Sequence, residues 1–215
     1  MAKIQSQHSY FEIIIEKQYS QYQNLIKKYD AFILDSQSGA ADHMEKYAAF
    51  LPSFEELVGT KLSLVLIAAS YIESIINFFY SHKLTAEQFN ALDNAKLLDK
   101  WTGLLEIVVP GYQLNKSEEL YSNLTTLINA RNSITHMKPK ITDGDKIKQT
   151  GNISKHFKDD QTDRVLFEKW VQLPKALLKK LWEADKSSSG RVTAFFSLRK
   201  IESQKELMSY INSTE

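Results

Sequence analysis

The sequence predicts an all-α fold, a bundle of about five to seven helices. Two observations carry this expectation. Only seven glycines and four prolines punctuate 215 residues, and both are the residues that most often break helices. Long stretches also lack the strict apolar–polar alternation of half-buried strands and instead repeat apolar residues at helical spacing.

A first helix is expected from about Tyr10 to Ala31, with Ile14, Tyr22, Leu25, Ile26 and Tyr29 on its apolar face. Ser36 to Ala41, which contains Gly39, reads as a loop. A second element, Asp42 to Phe50, is expected to stop before Pro52, because the residue before proline is biased away from the helical region. Ser53 then reads as an N-cap, with Glu55 and Glu56 in a first turn where the helix dipole favours acids. The helix it opens should reach about His82.

That helix contains the most apolar stretch of the chain, Leu62 to Tyr80. A bilayer core needs about 20 predominantly apolar residues. Glu73 and Asn77 interrupt this stretch, and ionisable groups at membrane depth are costly. A helix buried among others is therefore expected, with no membrane partner.

Thr85-Ala86-Glu87 should open a short turn or helix. Asn90 to Val109 carries an amphipathic pattern through Leu97, Leu98, Trp101, Leu104, Leu105 and Val108, closed by Pro110-Gly111. Ser117-Glu118-Glu119 starts the next helix, in which Leu120, Leu124, Leu127, Ile128 and Ile134 recur up to a boundary at Pro139. His136 is expected in its last turn. Lys140 to Asp160 turns polar and reads as a long loop. Helices are then expected from about Asp163 to Ala184, kinked or restarted at Pro174, and from about Val192 to Ile211, separated by Lys186-Ser187-Ser188-Ser189-Gly190. The organisation expected is residues 1–52 as N-terminal helices packed on a core at 53–140, with residues 141–215 as a loop and basic helices of the same globular domain.

Composition removes several chemistries. The chain has no cysteine, so disulfides, thiolate nucleophiles and cysteine-ligated metals are excluded. The apolar run near the N-terminus, Ile13 to Ile15, is too short for the core of a signal peptide. A cytoplasmic location is expected. Net charge is +1, but residues 164–200 carry nine basic side chains against three acids. Such asymmetry suits a polyanionic partner or a solvated basic face.

The segment Arg131-Asn132-Ser133-Ile134-Thr135-His136 is the chemically pointed one. Histidine exchanges a proton near neutral pH. Arginine stays cationic and matches phosphate oxygens with a planar fork. On a helix Arg131 and His136 lie about 140° apart, whereas Asn132 and His136, four residues apart, share a face. An Arg and a His near a helix C-terminus also serve simply as caps and dipole partners. His8, His43, His82 and His156 are scattered, and glycine-rich phosphate loops are absent. No cofactor or metal is expected.

The stretch Leu127 to Pro139, with Arg131, Asn132 and His136, resembles the motif of the HEPN superfamily (higher eukaryotes and prokaryotes nucleotide-binding domains). Ala68 to Tyr80 resembles the earlier long helix of that family, whose acidic residue would be Glu73. The resemblance spans residues 55–140. It implies a HEPN-like helical core, here with extra C-terminal helices, and a homodimer in which two motifs share one cleft. It further implies a metal-independent endoribonuclease of a defence, toxin–antitoxin or stress-response system, with RNA as substrate and an antitoxin or regulatory protein as a further partner. Arg131 and His136 would promote attack of the 2′-OH, supported by Asn132 and Glu73. Glu73 could equally form a buried bridge to Arg131. The alternative function is a non-catalytic helical HEPN-like binding module or partner protein.

Overall fold

The computed structural model describes residues 7–37, 43–135, 140–142, 146–148 and 161–185. The fold is an all-α bundle. Its helices are α1 (Gln7–Gln37), α2 (His43–Lys83), α3 (Ala86–Asp93), α4 (Leu97–Trp101), α5 (Gly103–Val108), α6 (Glu119–Thr135) and α7 (Gln161–Ala184). The helix expected at 192–211 and the loop at 186–190 lie outside the described residues.

Helix α1 outruns its expected limits at both ends, and its buried face is set by Ile15, Tyr22 and Leu25. Ile14, expected on that face, is 41% exposed. A one-residue step turns a side chain by about 100°, and Ile15, seven residues before Tyr22, is the position in phase.

Helix α2 corrects the expected break. It runs unbroken through Pro52, so Ser53 is not an N-cap, Glu55 and Glu56 are not in a first turn, and the boundary expected at residue 52 falls inside a helix. Proline in a helix interior removes one backbone bond and costs about 3 kcal/mol. Contacts with α1 offset that cost: Phe32 stacks on Phe50 with centroids 4.3 Å apart, and Tyr29 meets both Phe50 and Phe54. Beyond residue 56 the helix becomes the axis of the bundle, packing against α1, α3, α4, α6 and α7. By length and composition alone α2 is long and apolar enough to cross a membrane, but the buried core helix of a soluble protein has the same length and composition. Here Leu64, Val65, Ile72, Ile75 and Ile76 are buried among the other helices.

Thr85 opens α3 with a reciprocal capping box to Gln88, which satisfies two otherwise orphaned donors. The single helix expected at 90–109 is three pieces. Asn94 ends α3, and Thr102, at φ −113° and ψ −111°, separates α4 from α5. The break lets the Trp101 indole donate to the carbonyl oxygen of Ile72 at 3.3 Å while Leu105 stays fully buried. Pro110-Gly111 closes α5 as expected. Gly111 takes φ +90°, and the Tyr112 N–H donates back to Val109 O at 3.0 Å, the pattern of a turn with proline second and glycine third.

The expected loop after residue 139 contains a short antiparallel pair, β1 (Lys140–Thr142) and β2 (Lys146–Lys148), with Ile141 opposite Ile147. Asp143-Gly144, a hairpin signal, lies between them in the sequence. Helix α7 continues through Pro174 without restarting. Its apolar stripe, Phe167, Trp170, Leu173, Leu177 and Leu181, is buried.

Candidate functional site

Helix α6 positions the candidate site. Leu124, Leu127 and Ala130 are fully buried and fix its inner face, while Arg131 and Asn132 follow at half-buried positions. The helix lies antiparallel to α7. Near its start the Lys180 ammonium binds the Glu118 carboxylate, and at its middle the Trp170 indole donates to Thr126 Oγ1 at 3.0 Å. The Arg131 turn therefore lies toward the end of the bundle where α7 begins. At that end Arg164 of α7 grips Asp30 of α1 through two bonds of 2.9 and 2.6 Å.

Arg131 Nη1 donates to Asn132 Oδ1 at 3.2 Å. The Thr135 hydroxyl donates to Arg131 O at 3.0 Å and Asn132 O at 3.4 Å, and Ser133 Oγ donates to Asn129 O at 2.9 Å. These hydroxyls fold back onto carbonyls three and four residues earlier, as Ser and Thr do within helices, and only Asn132 O is among the last four that lack an N–H partner within the helix. His136 lies outside the described residues.

Glu73 is half-buried on α2 between Ile72 and Ile75, both fully buried. Helices α2 and α6 pack together. Among the described residues, however, no hydrogen bond or ion pair joins Glu73 to Arg131 or Asn132. The guanidinium is thus not neutralised by that carboxylate. Of its five N–H donors, the described residues engage one, and the acceptor is a neutral amide. Chemically, among the described residues, this is a cation that meets a neutral side-chain oxygen and no carboxylate.

The basic excess of the C-terminal third is partly absorbed within the fold. Arg164 pairs with Asp30, Lys169 with Glu119 and Lys180 with Glu118. The Arg164 hydrogen bonds hold Asp30 below the ordinary carboxylate range. Glu118 is held down first by its bond from Lys180 and then by the backbone N–H of Asn115. Burial, reinforced by the charge of Glu118, pushes the Tyr112 hydroxyl well above the ordinary tyrosine value.

Other buried polar groups escaped the sequence reading. Tyr71 Oη donates to Glu12 Oε1 at 2.6 Å beside a cavity of about 60 Å³ between α1, α2 and α7. The signal for Glu12 was its spacing of three and ten residues from Ile15 and Tyr22, which puts the carboxylate on the inner face. Lys100, 2% exposed, donates to Asn77 Oδ1 at 3.0 Å. His82 caps α2, its Nδ1 lying 2.9 Å from Phe78 O. Among the described residues, no three His, Asp or Glu side chains gather as a metal site.

Comparison with protein-family models finds none that matches this chain, and comparisons with curated proteins and with solved structures find no match either.

Proposed function

We propose that the chain is a metal-independent endoribonuclease that works as a homodimer in a defence, toxin–antitoxin or stress-response system. The observation that carries this reading is the Arg131 guanidinium, held by Asn132 near the end of α6 and engaged by no carboxylate among the described residues. A guanidinium that no carboxylate neutralises keeps its full charge for a phosphate oxygen.

In this reading Arg131 binds the non-bridging oxygens of an RNA phosphate and stabilises the charge that develops there. His136 takes the proton of the neighbouring 2′-OH. The 2′ oxygen forms a bond to phosphorus, the bond to the 5′ oxygen breaks, and that oxygen takes the proton from the His136 imidazolium and leaves as a hydroxyl, which returns His136 to its neutral form. The products are a 2′,3′-cyclic phosphate and a 5′-hydroxyl end. RNA supplies its own nucleophile, so the reaction needs no metal ion. Glu73 supports the site in this scheme from α2.

The test incubates cellular RNA in EDTA with wild type, Arg131→Ala and His136→Ala, and maps the product ends. Cleavage by the wild type alone, leaving 2′,3′-cyclic ends, is the expected result. Equal activity or equal inertness of all three would instead favour the non-catalytic binding module.

A further inference from the structure

The cavity of about 60 Å³ where α1, α2 and α7 meet has a largely apolar interior and a polar mouth. Ile15, Tyr71, Val171 and Pro174 line it and are buried, whereas Glu16 and Gln172 are exposed and Lys175 is half-buried. One carboxylate belongs to the interior. Glu12 is 6% exposed, and the Tyr71 hydroxyl donates to its Oε1 at 2.6 Å. The Tyr71 ring is held in turn by stacking on Phe11 of α1, with centroids 5.5 Å apart. Burying a carboxylate is expensive, and an apolar side chain of similar size in such a place is often neutral or stabilising. Packing alone therefore does not account for Glu12 beside open space.

We propose that this cavity is a binding site for a small primary ammonium ion with a short aliphatic stem. Charge selects a cation: the lining sets two acids, Glu12 and Glu16, against one base, Lys175, which leaves one negative charge. Hydrogen bonding selects a donor. Besides the Glu12 carboxylate, the wall includes Pro174, which has no N–H to give the carbonyl oxygen of Trp170 one turn earlier. An ammonium brings three donors and no acceptor. Shape selects the stem, because Ile15, Val171 and Pro174 offer only carbon to a ligand, and the Tyr19 hydroxyl is already bonded to Gln23 and Glu168. A water-sized group needs roughly 10–15 Å³, so the cavity takes about four to six of them, the size of n-butylammonium. Bound there, the ion joins α1 to α7 beside Pro174.

The cavity lining includes neither Arg131 nor Glu73 and the proposal is read without RNA, so its failure leaves the nuclease reading to its own assay. n-Butylammonium chloride should raise the thermal midpoint of the full chain, saturably and beyond matched sodium chloride, as a ligand of the folded state does. n-Butanol, with the same stem and no charge, and sodium butyrate, with the opposite charge, should not. The Val171 methyl resonances should move along the same saturation curve. Glu12→Gln keeps the shape and an acceptor for Tyr71 but removes the charge, and it should weaken binding about tenfold or more. If that variant does not fold, the three ligands and the Val171 resonances of the wild type decide the matter. Butanol binding as well as butylammonium overturns the proposal, since the cavity is then merely apolar. So does butylammonium binding that leaves Val171 unmoved, a folded Glu12→Gln variant of unchanged affinity, or no saturable binding at all.

Discussion

The indole N–H of Trp170 donates to the hydroxyl of Thr126 at 3.0 Å, and through this bond α7 fixes the middle of the helix that carries Arg131. Trp170 is 2% exposed, while Thr126 is half-buried, so the bond lies at the edge of the core. Replacing Trp170 with Phe keeps most of the ring and removes the donor. A hydrogen bond of this kind contributes about 0.5–1.5 kcal/mol, and unfolding in urea should show a loss of about that size plus the missing ring area. Thr126→Val should cost a similar amount. The double variant should cost less than the sum, as expected of residues that share one bond.

Acid should weaken the attachment of α7. Asp30 and Glu118 sit below the ordinary carboxylate range because Arg164 and Lys180 bond them. An unfolded chain binds protons at these groups more readily than the folded one, so their contribution is complete at neutral pH. It declines as pH falls through about pH 4, the ordinary carboxylate value, toward the lower folded values. Urea midpoints measured from neutral to acid pH should fall in that range, and Lys180→Met should flatten the fall. Both pairs are partly exposed, at 47% for Asp30 and 31% for Glu118, so the effect should be modest and should shrink in high salt.

Helix α2 carries Pro52 in its interior, where proline lacks the N–H that Ala48 O would accept. Pro52→Ala restores the donor and a better helix former. It should raise stability by about 1–3 kcal/mol and deepen the far-ultraviolet helical signal. An unchanged or lower stability would indicate a helix broken at this point in solution.

Gly111 adopts φ +90° with open space around its missing side chain. Alanine there meets no clash but takes on backbone strain. Gly111→Ala should therefore cost about 1 kcal/mol in urea unfolding, with any RNA cleavage preserved.

Asn132 orients the guanidinium by accepting its bond at 3.2 Å. Under the proposed function Asn132→Ala should lower kcat for RNA cleavage roughly tenfold with little change in KM, because a misaimed group loses mostly transition-state interaction. A fall in stability with kcat intact would make the residue structural.

Local signals that act within one turn were legible in the sequence. Thr85 at the start of α3 and Pro110 with Gly111 each punctuate the chain where expected, and Leu124 and Leu127 mark the buried face of α6. Pro52 and Thr102 were misread for opposite reasons. At Pro52, aromatic packing from α1, distant in sequence, overrides a strong local breaker. At Thr102, the burial of Trp101 against Ile72 breaks a pattern that looked continuous. The site was legible as residue types, Arg131 and Asn132 on one late helix. Their bond, and the lack of one to Glu73 among the described residues, depended on side-chain geometry that spacing does not encode.

Helix α2 spans 41 residues without a break, about 60 Å of continuous backbone. A helix of that length behaves mechanically as a stiff rod. Whatever seats on its exposed end acts as a hand on a lever whose other end is buried in the bundle. A tilt at Met44 is delivered to Ile72, Glu73 and Ile76, and the joint most able to absorb it is the turn at Pro52, where one backbone bond is missing.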